Sequence, residues 1–147
     1  MITVNDLLKA KGNEVYAVTP QTKTLDALKL LAEKNVGALL VLDGKKLSGI
    51  VSERDVVRQL AEKGAFNMDQ PVEQFMTELL FVIAPSQGID DCMALMTEHH
   101  IRHLPVVEND LVVGVISIGD VVKRLIAHQE STIDNLEKYI SGSGYNH

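Results

Sequence analysis

Covalent cross-linking within this chain is excluded, because its 147 residues include one cysteine, Cys92, and a lone thiol cannot close an intramolecular disulfide. Basic residues are in deficit. Fourteen Lys and Arg against twenty Asp and Glu give a net charge of −6, the opposite of the clustered positive charge that a nucleic-acid surface needs. No apolar run is long enough to span a bilayer and no secretory leader is evident, so a soluble, cytoplasmic chain is expected. The length suits one compact domain or a pair of half-domains with a sizeable core, and is too short for a two-domain enzyme.

What the chain does have, it has twice. Pro20, Gly49, Ser52 and Asp55 recur 65 positions later as Pro85, Gly114, Ser117 and Asp120. A constant offset without gaps is the mark of a duplicated supersecondary unit that kept its packing, so a site is expected to be shared between the halves. The leading segments Val4 to Leu8 and Val72 to Met76 also correspond, at a slightly larger offset. Cys92 falls where the first copy carries Ala27, on an inward helical face, which reads as a buried apolar thiol.

Each copy reads as β-α-β-β-α. A β-rich segment ending at Pro20 or Pro85 leads into a helix whose inward residues are spaced as Leu25, Leu28 and Leu31, or Ile89, Met93 and Met96, with Thr24 as N-cap of the first. Two apolar runs follow in each copy, joined at Asp43-Gly44 and at Asn109-Asp110, both hairpin signals. The period then changes at Ser52 or Ser117 into a helix with Val56, Val57, Leu60 and Ala61, or Val121, Val122, Leu125 and Ile126, on one face. Two helices cannot cover both faces of a small sheet, so the copies are expected to pack together about a pseudo-two-fold axis, leaving clefts along the seam. Nothing breaks the last helix from Asp120 to Ser141, and Gly142 reads as its stop. Its stripe of Val122, Ile126, Ile133, Leu136 and Ile140 suggests a partner helix, most simply from a second subunit.

Gly49-x-x-Ser52-x-x-Asp55 and Gly114-x-x-Ser117-x-x-Asp120 carry the chemistry. Each sits at a strand-to-helix junction, where free N–H groups favour an anion. Ser-x-x-Asp is also close to a capping box, a purely structural device. Recurrence, and glycine that lets a ligand approach the backbone, shift the balance toward a site. The carboxylate repels phosphate but accepts hydrogen bonds from both hydroxyls of a ribose. A nucleoside with an anionic tail is therefore implied. His99, His100 and His103 invite a metal reading, but a helix end before Arg102 breaks their common face and no Cys or acidic cluster completes a set, so no metal is expected.

The duplicated Val-x-Pro lead, hairpin and Gly-h-h-Ser-x-x-Asp exit strongly resemble the cystathionine β-synthase (CBS) domain as a tandem pair, the Bateman module, over roughly residues 1–127. The resemblance implies an α/β (α+β) fold with a first repeat and N-terminal helix over 1–64, a linker over 65–71, a second repeat over 72–127, a helical extension over 128–141 and a flexible tail over 142–147. It implies clefts binding AMP, ADP or ATP, with NAD(H) or S-adenosylmethionine as alternatives, and dimerisation. Asp55 and Asp120 would hold riboses, with Ser52 and Ser117 beside ribose or phosphate. Adenine would lie against Val18-Thr19-Pro20 and Val82-Ile83-Ala84-Pro85. Arg102-His103-Leu104-Pro105 matches a cleft-lining segment, so Arg102 and His103 would face phosphate, helped by Arg54 and Lys123.

The copies differ where it matters. Gly37-Ala38 stands in place of Arg102-His103, and Arg54 in place of Gly119 beside Ile118, so unequal affinities are expected, with the Asp120 cleft the better site. Aromatic residues are few, so a base would be read by backbone groups. No nucleophile–base pair or Gly-Lys-Ser phosphate loop is present, and the expected function is regulatory rather than catalytic. The alternative of another class is an interaction protein that regulates a partner enzyme through its C-terminal helix. Residues 63–70 read as linker or lid.

Overall fold

The computed structural model describes residues 1–78 and 81–142. After helix α1 (Val4–Lys11), the first repeat runs β1 (Ala17–Val18), α2 (Thr24–Lys34), β2 (Ala38–Asp43), β3 (Lys46–Ser52) and α3 (Glu53–Lys63). A single 3₁₀ turn, Val72–Gln74, precedes the second repeat of α4 (Ile89–His99), β4 (His103–Glu108), β5 (Leu111–Ser117) and α5 (Ile118–Gly142). The fold is the mixed α+β pair that the repeat implied, with a long C-terminal helix. Its leading strand is short in the first repeat, where β1 pairs parallel with β2. In the second repeat it shrinks to one parallel bridge, Ile83 to Val106, and Leu80 of that segment lies outside the described residues.

The duplication extends to irregularities. β2 pairs antiparallel with β3 and β4 with β5, and the register slips after Val41 in one hairpin and after Val106 in the other, 65 residues apart. Asp43 pairs with Lys46, so the first loop is Gly44-Lys45 rather than Asp43-Gly44, with Gly44 supplying the positive φ of 64°. The second loop is Asn109-Asp110 as expected, with both residues at positive φ. A Cβ on Gly49 would stand 2.6 Å from Met76 Sδ, and one on Gly114 2.5 Å from Leu8 Cδ2. These glycines therefore admit the leading segments, whereas their spacing had suggested room for a ligand.

Helix rotation departs from the leucine pattern. α2 buries Thr24, Ala27 and Leu31, leaving Leu25 exposed. Thr24 is the first helical residue rather than the cap, and its hydroxyl donates to Gln70 O at 2.8 Å. Thr24 N–H also donates to Gln70 O, Leu25 N–H to Met68 O and Val72 N–H to Thr22 O. The connection read as linker or lid is thus fastened at residues 68–72 to the start of α2. α4 buries Ile89 and Met96 of its expected face together with Cys92, while Met93 is only partly buried against the same core, and burial pushes the Cys92 thiol up to about 11. Gly142 is the last residue of α5 rather than the residue after it, and the tail beyond it lies outside the described residues.

The two cores are built by exchange. Val4, Leu7 and Leu8 of α1 pack with Ile83, Ile89, Cys92, Met96, Leu104, Val106, Ile116 and Val121, all of the second repeat. Val72, with Phe75 and Met76 beside it, packs with Ala27, Leu31, Leu39, Val41 and Val51 of the first. Chain order had grouped α1 with the first repeat, but its apolar face belongs to the core of the second.

Candidate functional site

Two cavities lie along the seam among the described residues, and each joins the early part of one repeat to the exit of the other. One, of about 370 Å³, lies among Tyr16, Gly37 and Ala38 of the first repeat, Ser117 and Asp120 of the second, and Lys11 of α1. The other, of about 850 Å³, lies among Ser52, Arg54 and Asp55 of the first repeat and Phe81, His99 and Arg102 of the second. Both volumes suit a small molecule. Gly37, Ile50, His103 and Ser117 line both cavities, so His103 stands at the seam itself.

Local sequence positions the two carboxylates in the same way. Ser52 caps α3, its hydroxyl accepting Asp55 N–H at 3.3 Å while Asp55 Oδ2 accepts Ser52 N–H at 2.8 Å. Ser117 and Asp120 exchange the same bonds, at 3.1 and 2.9 Å. Each junction is then pinned to the loop that enters its own hairpin, Glu53 N–H donating to Gly37 O and Ile118 N–H to Arg102 O. The capping-box reading of Ser-x-x-Asp thus holds in both copies, and what separates structure from site is the remaining capacity of each carboxylate.

That capacity differs. Asp55 is 7% exposed, and its Oδ1 accepts the Thr77 hydroxyl at 2.9 Å while Oδ2 takes both Ser52 donors, so both oxygens are engaged by the fold. Asp120 has a side chain 23% exposed, its Oδ2 accepts Ser117 N–H and the Lys11 ammonium at 2.7 Å, and Oδ1 accepts no hydrogen bond among the described residues. Burial opposes ionisation of Asp120, but the Lys11 ammonium and the Ser117 donors outweigh it and hold the carboxyl below its ordinary value. His103 is shifted down by burial and by the nearby Lys11 charge, which keeps its ring neutral near pH 7.

The residues chosen from the sequence divide. Gly37, Ala38, Ser52, Arg54, Asp55, Arg102, His103, Ser117, Ile118 and Asp120 line one or both cavities. Ile83 and Leu104 are core, Pro20 and Pro105 are buried, and Thr19, Val82, Gly119 and Lys123 are exposed; none of these lines either cavity, nor do Val18 and Pro85. The leading segments contribute Tyr16 and Phe81 instead, each two residues ahead of a side chain, Val18 or Ile83, that packs into a core. His99 stacks on Phe81 with ring centroids 3.7 Å apart, and His100, at φ 53°, caps α4 as Asn35 caps α2. Lys11, Tyr16, Thr77 and Phe81 were not selected from the sequence. Lys11 and Thr77 carry no motif, but Tyr16 and Phe81 are themselves a pair 65 positions apart.

The family model of the CBS domain matches residues 4–62 and again 72–127. The chain is similar to the CBS domain-containing protein CBSX3, mitochondrial, of Arabidopsis thaliana, with 34% identity over 153 residues covering 97% of this chain and 73% of that protein. Among solved structures, one of a protein with CBS domains from Burkholderia ambifaria is 48% identical, covers 86% of this chain and 96% of that one, and superposes with a TM-score of 0.82. CBSX2, solved in complex with AMP, is 31% identical, with coverage of 88% and 99% and a TM-score of 0.72.

Proposed function

The chain belongs to the CBS domain family as a tandem pair, and from that premise we propose that it is a regulatory, non-catalytic module that binds an adenine nucleotide (AMP, ADP or ATP) in the Asp120 cleft. The observation that carries this reading is the state of Asp120, an ionised carboxylate on the cavity wall with one oxygen unengaged among the described residues. The AMP complex of CBSX2 supports the ligand class. A ribose diol on Asp120 places the base toward Tyr16, Gly37 and Ala38. The second cavity, with Arg54, Arg58 and Arg102 on its wall, suits a more highly charged anion.

A ligand in either cleft touches both repeats, so it favours the relative orientation that grips it better, and only that difference in affinity carries a signal. The readout is a homodimer. Val57 and Leu60 on α3, and Val122 and Ile126 on α5, are large apolar side chains exposed in the single chain. Ile133 and Leu136, also exposed, continue the stripe and suit a helix of the second copy or of a regulated partner, while Ile140 lies where side chains are not described.

Thermal unfolding against AMP, ADP, ATP, NAD and S-adenosylmethionine tests the ligand class. A ligand at about 100 times its dissociation constant stabilises the native state by about 2.7 kcal/mol. The expected result is a selective rise in midpoint with adenine nucleotides. A rise with S-adenosylmethionine alone reassigns the ligand, and no rise with any of the five contradicts the reading.

A further inference from the structure

The Asp120 cleft has an occupant of its own. Lys11, the last residue of α1, reaches across to the second repeat and donates to Val115 O at 2.9 Å and to Asp120 Oδ2 at 2.7 Å. With Ser117 N–H at 2.9 Å, both lone-pair directions of Oδ2 are filled. A ribose offers two hydroxyl donors, one for each carboxylate oxygen. The first meets the unengaged Oδ1, and the second meets an oxygen that Lys11 already holds. Full engagement of the diol therefore displaces the ammonium.

We infer that Lys11 is a specificity-determining residue of this cleft, closing the Asp120 carboxylate in the empty state and moving to the ligand's anionic tail when a nucleotide displaces it. This rests on the reading of the Asp120 cleft as a nucleotide site. An uncharged nucleoside must break a charge-assisted hydrogen bond and returns nothing to the ammonium. A nucleotide breaks the same bond and supplies a phosphate in exchange. Lys11 is the one Lys or Arg on the wall of that cavity among the described residues, and His103, the other basic group there, is kept neutral by its burial. The ammonium sits on a flexible four-carbon stem, so it can change partners without moving the backbone of α1. The Asp55 cleft has no such latch, because a neutral hydroxyl, from Thr77, closes that carboxylate.

The test is calorimetric titration of AMP and of adenosine into the full chain, as wild type, Lys11→Met and Lys11→Arg. The wild type is expected to prefer AMP by about tenfold or more, a difference of about 1.4 kcal/mol. In Lys11→Met, adenosine binds more tightly than to wild type and AMP more weakly, so the preference collapses toward unity, while Lys11→Arg preserves it. A lysine that merely braced α1 would change both affinities together. Equal wild-type affinities, or a Lys11→Met preference within about twofold of wild type, overturn the role of Lys11 and leave the nucleotide site standing. Failure of the wild type to bind either ligand overturns both.

Discussion

His103 shows how one side chain inherits its behaviour from the seam between two repeats. Burial first, and the neighbouring Lys11 charge second, shift its pKa down, while Asp120 and Glu53 pull the other way and Arg102 adds to the lowering. The unfolded chain therefore binds the proton at a higher pH than the folded one. Stability that depends on the neutral ring is complete above about pH 6.5, the ordinary histidine value, and is lost as pH falls from there through the folded pKa. Urea midpoints from pH 8 to 5 are expected to be level at the alkaline end and to fall below that point, with a shallower fall in His103→Gln. Residues of this kind were only partly legible in the sequence. Ser117 and Asp120 lie three positions apart and announce themselves, because a capping box is a local device. The Lys11 to Asp120 bond spans 109 positions, and no local spacing records it.

Elements were more legible than their partners. Both hairpins, the paired helices and the change of period at each serine follow from alternation, turn residues and caps, all of which act within a few residues. Which surface an amphipathic helix covers is a different question, and α1 is the instructive case. Its pattern of Val4, Leu7 and Leu8 declares an apolar face without saying that the face belongs to the second repeat. The rotation of α2 was hidden for a similar reason, since Thr24 turns inward to reach Gln70 O in a segment remote in sequence, and Leu25 turns out. Leu8→Ala is expected to cost about 2–5 kcal/mol, as large-to-small changes in a packed core do. Hydrogen exchange locates the damage: protection should fall further along β5, where Leu8 packs on Gly114, than along β2 in its own half. Equal losses in the two strands, or greater loss in β2, contradict the exchange of leading segments.

At the scale of the molecule, exchange makes the two repeats one structure, for each core is completed by a segment that precedes the other half in the chain. A ligand in either cleft therefore works on a body whose halves are joined through their cores as well as along their seam. The apolar face of α3 and α5 offers that body a partner. Ile126, 52% exposed in the single chain, is the position to break: Ile126→Glu is expected to turn a dimer into a monomer in sedimentation, and a wild type that sediments as a monomer contradicts the interface. Whether Asp120 holds a nucleotide is decided by calorimetric titration of AMP into wild type and Asp120→Asn, with the fold of the variant confirmed by circular dichroism. Asparagine keeps the shape and removes the charge that strengthens the diol hydrogen bonds, so affinity is expected to fall by about tenfold or more. Saturable binding of AMP to the wild type that weakens in this way upholds the account, and binding that is absent, or unchanged by the substitution, contradicts it.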